Sequence, residues 1–185
     1  MQKTYRIRPA RETDAPILCA AERRIAETPG RLASHPDELR ETAYADKIRA
    51  LDGLGCYLIA EKDGAIVGHA VLEPVASRKA LAHVFTLGSM VVHPGSEGQG
   101  VGTALMQALM QWVQQQPHVE RIELRVREQN TAARRLYENF GFVLEGRFDK
   151  RIKLADGSYL VDLMMAWLAP GTASTSTHLT PQSPA

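Results

Sequence analysis

The sequence predicts an α/β domain: a single mixed, mostly antiparallel sheet of about seven strands, flanked by about four helices. Three observations carry that expectation. Apolar residues recur with strand period and helix period in turn, in the order strand, two helices, three strands, helix, strand, helix, two strands. Asp63-Gly64 and Asp156-Gly157 each sit between two apolar runs, the pattern of a tight hairpin. From Leu81 to Glu128, a strand-like run, a glycine-rich turn, an amphipathic helix and a second strand follow one another. That is the layout of a parallel pair joined by a right-handed crossover.

Each element has its own signal. Tyr5 to Ala10 alternates around a proline and reads as a short strand. Glu12 to Glu27 reads as a helix, with Thr13 or Asp14 as its cap and Pro16 in its first turn. Thr28-Pro29-Gly30 stops it. His35 to Gly53 reads as a second helix, acidic at its start and closed by Gly53. Cys56 to Val75 is the first hairpin. Leu81 to His93 is a longer strand with Gly88 as a candidate bulge. From about Gly100 a helix carries Val101, Leu105, Leu109 and Val113 at helical spacing, and Pro117 ends it. In Arg121 to Glu128, Ile122, Leu124 and Val126 face one way and Glu123, Arg125 and Arg127 the other. Asn130 to Phe142 is a helix capped by Asn130 and ended at Gly141, with Ala133, Leu136, Tyr137 and Phe140 on one face. Phe142 to Leu168 is the second hairpin. The domain is therefore placed at residues 1–168, and the Ser/Thr/Pro-rich stretch 169–185 is expected to be a flexible tail.

Size and composition narrow the class. A chain of 185 residues suits one domain with a sizeable core. The net charge of +1, from 22 basic and 21 acidic residues, gives no electrostatic reason to expect nucleic acid or an anionic membrane as partner. No apolar run approaches the roughly 18 residues that cross a bilayer. The polar start, MQKTYRIRPARETD, lacks the apolar centre of a signal peptide, so a cytoplasmic location is expected. Cys19 and Cys56 have no metal-ligand spacing; they read as reduced, buried small hydrophobes, and no metal is expected.

His93 to Gly102, HPGSEGQGVG, puts four glycines into ten residues. A glycine-rich turn between strand and helix exposes successive backbone N–H groups at the positive end of the helix dipole, an anion nest suited to phosphate or pyrophosphate. Missing Cβ atoms let a ligand touch the main chain. Two nucleotide motifs fit poorly. Gly102 is followed by Thr103 without the lysine of G-x-x-x-x-G-K-[ST], and Gly98, Gly100 and Gly102 give G-x-G-x-G rather than G-x-G-x-x-G. A tight turn without a ligand is the other reading of the glycines alone.

The context decides between them. Met90 to Met106, MVVHPGSEGQGVGTALM, resembles the acyl-CoA signature of the GNAT N-acetyltransferase superfamily: an apolar strand end, x-P, then [QR]-x-x-G-x-[GA]. NTAARRLYENFGF resembles that family's next motif, N-x-x-A-x-x-x-Y-x-x-x-G-F. The two stand in the family's order, about thirty residues apart, with the alternating strand between them. The resemblance runs from Tyr5 to Leu168 and implies the GNAT-like acyl-CoA N-acyltransferase fold, with acetyl-CoA as cosubstrate. It implies that main-chain groups of Met90, Val91 and Val92 line the pantetheine arm. Gly98, Gln99, Gly100, Val101, Gly102 and Thr103 would hold the pyrophosphate. Asn130 matches a cofactor-contacting position that also suits a helix cap, Ala133 matches the motif alanine, and Tyr137 matches the tyrosine near the thioester sulfur. One position departs: Glu97 stands where the family carries Gln or Arg. A carboxylate beside a pyrophosphate weakens binding unless it points to solvent or pairs with a base. The loop is therefore expected to work through its N–H groups, with Gln99 supplying some polar contact.

The implied reaction is direct attack of an unprotonated amine on the thioester. Tyr137 would protonate the departing thiolate, and N–H groups at the strand end would stabilise the oxyanion. Relatives that use a glutamate before the second motif have Arg125 and Arg127 in its place here, so the base stays open among Glu73, His83 and a water relay. Glu145 to Leu168 resembles the C-terminal hairpin of a bacterial branch that acetylates free amino acids and similar small amines, matched at Glu145, Gly146, Gly157, Tyr159, Asp162 and Met165. Arg147, Lys150, Arg151 and Lys153 read as a solvated face or as a contact for a substrate carboxylate. The expectation is an N-acetyltransferase acting on a small-molecule amine, with a homodimer left open. The alternatives are a protein N-terminal acetyltransferase, a non-catalytic acyl-CoA-binding regulatory module and a structural partner-binding domain.

Overall fold

The computed structural model describes residues 5–171, so most of the expected tail lies outside the described residues. In chain order the elements are β1 (Arg6–Pro9), α1 (Ala15–Ala26), α2 (Glu41–Ala50), β2 (Cys56–Lys62), β3 (Ala65–Pro74) and β4 (Val84–Val92). Then follow α3 (Val101–Gln114), β5 (Arg121–Arg127), α4 (Thr131–Asn139), β6 (Val143–Lys153) and β7 (Tyr159–Leu168). The strands form one seven-stranded sheet in the order β1-β2-β3-β4-β5-β7-β6. Every neighbouring pair is antiparallel except β4 and β5. The expected fold class and the parallel crossover through α3 are what the chain forms.

Both faces of the inner strands are covered, which is why β2 and β3 read as continuous apolar runs. On one face Leu58, Ala60, Ala70, Leu72, Phe85, Ile122 and Leu124 pack with Val101, Leu105 and Leu109 of α3 and Tyr137 of α4. On the other, Tyr57, Ile59 and Val71 pack with Leu18 of α1 and with Leu51. The hairpin turn at Asp63-Gly64 takes positive φ at both residues, 51° and 80°, the geometry that matches strand twist. Cys19 and Cys56 are buried free thiols.

Three boundaries differ from the sequence reading. The first helix begins with a 3-10 turn at Glu12–Asp14. The Asp14 carboxylate does not cap it: it accepts the Arg11 N–H at 2.7 Å and pairs with Arg8 of β1 at 2.8 Å. The segment expected as one helix from His35 breaks at Leu39 and Arg40, after a 3-10 turn at Pro36–Glu38. There the Leu39 carbonyl accepts two guanidinium N–H groups of Arg23, at 3.1 and 2.6 Å, so a tertiary bond replaces a helical one. Residues Lys79–Leu81 form a 3-10 turn, and β4 starts only at Val84.

Gly88 is the expected bulge. Val71 pairs with Ser89 and Leu72 with Leu87, leaving Gly88 without a partner on β3. Gly68 serves packing instead. A Cβ there would lie 2.8 Å from Val101 Cγ1 and 2.9 Å from the Val91 carbonyl oxygen. Its absence lets α3 sit close on β3. Gly68→Ala is expected to overpack this contact and cost about 1–3 kcal/mol in urea unfolding. An unchanged midpoint would show that α3 is free to retreat.

Candidate active site

β4 ends at Val92, and His93-Pro94 lead into the glycine loop. Gly95, Gly98 and Gly100 hold φ of 89°, 67° and 90°, a region side chains avoid. A Cβ at Gly98 or Gly100 would meet no atom within 4 Å. These missing side chains therefore face open space. Gly100 is also the N-cap of α3, whose first N–H groups lack intrahelical partners. An open cradle at a helix N-terminus fits an anionic group. Gly102 is different. A Cβ there would lie 3.2 Å from Leu136 Cδ2, so this glycine makes room for α4 against α3. Its missing side chain thus serves packing, while the sequence expectation for this residue concerns its main-chain N–H.

The carboxylate at Glu97 turns back on its own loop. It accepts the Gly95 N–H at 2.7 Å, and the main-chain N–H groups of Glu97 and Gly95 hold it below the usual carboxylate range. Gln99 braces the same loop: its amide donates to the Gly95 carbonyl at 3.1 Å, and its own carbonyl accepts the Tyr5 hydroxyl at 2.6 Å. Lys62 Nζ donates to Gln99 Oε1 at 3.4 Å.

Asn130 caps α4 by accepting the Ala133 N–H at 3.1 Å. Tyr137 lies on the buried face of α4, 6% exposed, with its ring 5.9 Å from that of Phe142. Burial pushes its phenol up to about 12, so it stays protonated at neutral pH. No described residue is hydrogen-bonded to its hydroxyl.

Beyond the middle of β4 lies an opening in the sheet. β4 and β5 pair only at Val84 with Arg121, Phe85 with Ile122 and Thr86 with Glu123. Both strands continue beyond that point without pairing to each other. In consequence Gly88, in the middle of a central strand, is exposed, while Met90 and Val92 are half-buried and Val91 is buried. Glu73, at the end of β3, leans onto the bulge: a Cβ on Gly88 would lie 2.8 Å from its Oε1. Lys47 of α2 holds both carboxylate oxygens at 2.9 Å. His83 precedes β4 at the closed end, where its carbonyl bonds the N–H groups of Glu120 and Arg121. Five residues of strand, about 16 Å, separate it from Gly88. The structure thus brings Glu73 to the opening and leaves His83 away from it.

At the end of β5, Arg127 pairs with Asp162 of β7 and donates to the Gly30 carbonyl in the α1–α2 connection at 3.2 Å. A Cβ on Gly30 would lie 2.4 Å from Leu160 Cδ1, so this connection packs tightly against β7. The basic run is mostly engaged or exposed: Arg147 pairs with Glu128 and Asp149, and Lys150 and Lys153 lie over the Tyr159 ring.

A buried polar chain escaped the sequence reading. Glu22 Oε1 of α1 lies 2.8 Å from His69 Nε2 of β3, and His69 Nδ1 lies 3.0 Å from Nε2 of His93, the residue that opens the glycine loop. His69 has no exposed surface, and His93 and Glu22 are buried. Burial, and the neighbouring His69, lower His93 to about 4. The available signals were a histidine inside an apolar strand and a glutamate one turn after Leu18 and Cys19 on the buried face of α1.

A family model described as "Acetyltransferase (GNAT) family" matches residues 21–142. The L-amino acid N-acetyltransferase AaaT of Escherichia coli (strain K12) is 34% identical over 109 residues, 59% of this chain and 65% of that protein. The mycothiol acetyltransferase of Salinispora tropica is 32% identical over 117 residues, 60% of this chain and 37% of that protein. The matched stretch thus spans less than two thirds of the length of both relatives. Among solved structures, a GNAT superfamily phosphinothricin acetyltransferase from Sinorhizobium meliloti, in complex with AcCoA, shares the fold. Its TM-score is 0.82 over 95% of this chain and 94% of that one, at 21% identity.

Because the fold resists protonating His93, the stability it contributes is present above its ordinary value of 6.5 and is lost as pH falls towards 4. The slope over that window approaches about 1.4 kcal/mol per pH unit. His93→Gln is expected to flatten the difference in urea midpoint between pH 6.5 and 4. Superimposable pH profiles for the two proteins would remove His93 as the titrating group.

Proposed function

This chain belongs to the acetyltransferase (GNAT) family, and from that premise we propose that it transfers acetyl from acetyl-CoA to the primary amine of a small molecule, an amino acid or a similar amine. The observation that carries this reading is the opening at Gly88, bounded by a glycine cradle on one side and by Glu73 on the other. Acetyl-CoA supplies an acetyl carbonyl activated by a thiolate leaving group. Gly98, Gly100 and the first N–H groups of α3, through Thr103, would receive the pyrophosphate. Main-chain groups of Met90, Val91 and Val92, unpaired towards β5, would receive the pantetheine amides. Asn130 and Ala133 would lie beside the cofactor at the start of α4.

Glu73 is the base in this reading. Its carboxylate is fixed at the bulge by Lys47 and is the one candidate from the sequence reading that reaches the opening. Tyr137 is the acid. A phenol that keeps its proton to about pH 12 is available to a departing thiolate throughout the neutral range. No helix among the described residues is long and apolar enough to cross a membrane.

Thiol release from acetyl-CoA, measured across free amino acids, amines and peptides, tests the proposal. Acetyl-CoA binding without thiol release for any acceptor would leave only the binding-module reading. Glu73→Gln is expected to lower kcat about 100-fold while acetyl-CoA affinity holds. Tyr137→Phe is expected to lower kcat by at least about 10-fold with the same affinity. A kcat retained in either variant removes that residue from its role.

A further inference from the structure

The outward side chains of β5 form a row of four: Arg121, Glu123, Arg125 and Arg127. They share the sheet face that carries α1 and α2, since Ile122, Leu124 and Val126 are buried in the core on the α3 and α4 face. Three of the four are neutralised. Arg121 pairs with Glu123 and Glu145, and Arg127 pairs with Asp162 and bonds the Gly30 carbonyl. Arg125 is exposed and has neither an ion pair nor a hydrogen bond among the described residues.

Its position is set by the strand register. The last β4–β5 pair is Thr86 with Glu123. Two residues further along each strand, past the last pair, stand Gly88 and Arg125, on the two strand edges that bound the opening. Glu73 lies against Gly88 and is reached by Lys47 of α2, so it is on the same face as Arg125. One wall therefore carries a proton acceptor and the other a cation without a carboxylate of its own. Met164, the cross-strand neighbour of Arg125 on β7, supplies no counter-charge.

We infer that Arg125 binds the free α-carboxylate of the acceptor, so that the chain selects free α-amino acids over amines that lack an anion. This rests on the transfer reading above and names its substrate class. The chemistry is direct: a guanidinium takes a carboxylate with two parallel N–H bonds, fixing orientation as well as charge. A carboxylate held at Arg125 leaves the amine of the same molecule pointing back towards Glu73 and Gly88.

The test is kcat/KM for matched pairs, each a free L-amino acid and its carboxamide. The natural chain should prefer the acids. Arg125→Gln should lower kcat/KM for acids roughly 10- to 100-fold, mainly through KM, and far more than for carboxamides. Arg125→Lys should restore part of the loss. Equal losses for acids and carboxamides, or no loss for acids, would overturn the assignment. A second arm needs no turnover: calorimetric binding of N-acetyl-L-leucine and N-acetyl-L-leucinamide in the presence of CoA. A preference for the free acid that vanishes in Arg125→Gln supports the contact, and no preference overturns it. Failure of thiol release with every acceptor would overturn the transfer reading alone.

Discussion

The structure depends on two central strands that stop pairing. β4 and β5 share three residue pairs and then part, although both run on. Inside a sheet this is costly, because each main-chain N–H and C=O needs a partner. β4 keeps its bonds to β3 and β5 its bonds to β7, so the loss falls only on the two edges that face each other. Those edges make an internal slot of unpaired polar groups. An extended ligand bearing amides can complete such an edge as an added strand does. The exposed bulge at Gly88 lies on that slot, and the glycine loop follows β4 where the strand ends at Val92.

The glycines show how the backbone is held there. Gly68 and Gly102 give up side chains so that α3 can approach β3 and α4 can approach α3. Gly98 and Gly100 give them up for backbone conformation, with open space outside. The first pair sets where the helix stands, and the second sets what its N-terminus presents. Glu97 does not spoil this arrangement, because its carboxylate is satisfied by the main chain at Gly95 and its own residue rather than by the N-terminus of α3.

Much of this was legible in the sequence. Alternation placed Ile122, Leu124 and Val126 in the core, and helical spacing placed Ala133, Leu136, Tyr137 and Phe140 on one face. The hairpin turns, the Gly88 bulge and the cap at Asn130 followed from local backbone chemistry, which sequence encodes directly. What was not legible depends on distance through space. The break at Leu39 arises from a bond to Arg23, sixteen positions earlier. Glu73 and His83 could not be separated without the register that puts one at the bulge and the other at the closed end. Gly98 and Gly102 look alike in a motif, and only the position of Leu136 assigns them different work.

The Glu22–His69–His93 chain belongs to the same kind of long-range fact, and its proton inventory explains its role. The main chain at Ile66 favours a proton on one ring nitrogen of His93, so the other nitrogen accepts from His69 Nδ1. His69 Nε2 then faces Glu22 Oε1 at 2.8 Å. In that order both ring nitrogens of each histidine have a partner. A fully satisfied buried network is rigid, because moving one member strands the next. It runs from α1, across β3, to the residue where β4 becomes the glycine loop. The helix that covers one face of the sheet is thereby tied to the loop that opens on the other. The position of the glycine loop relative to the slot is thus fixed from behind as well as by α3.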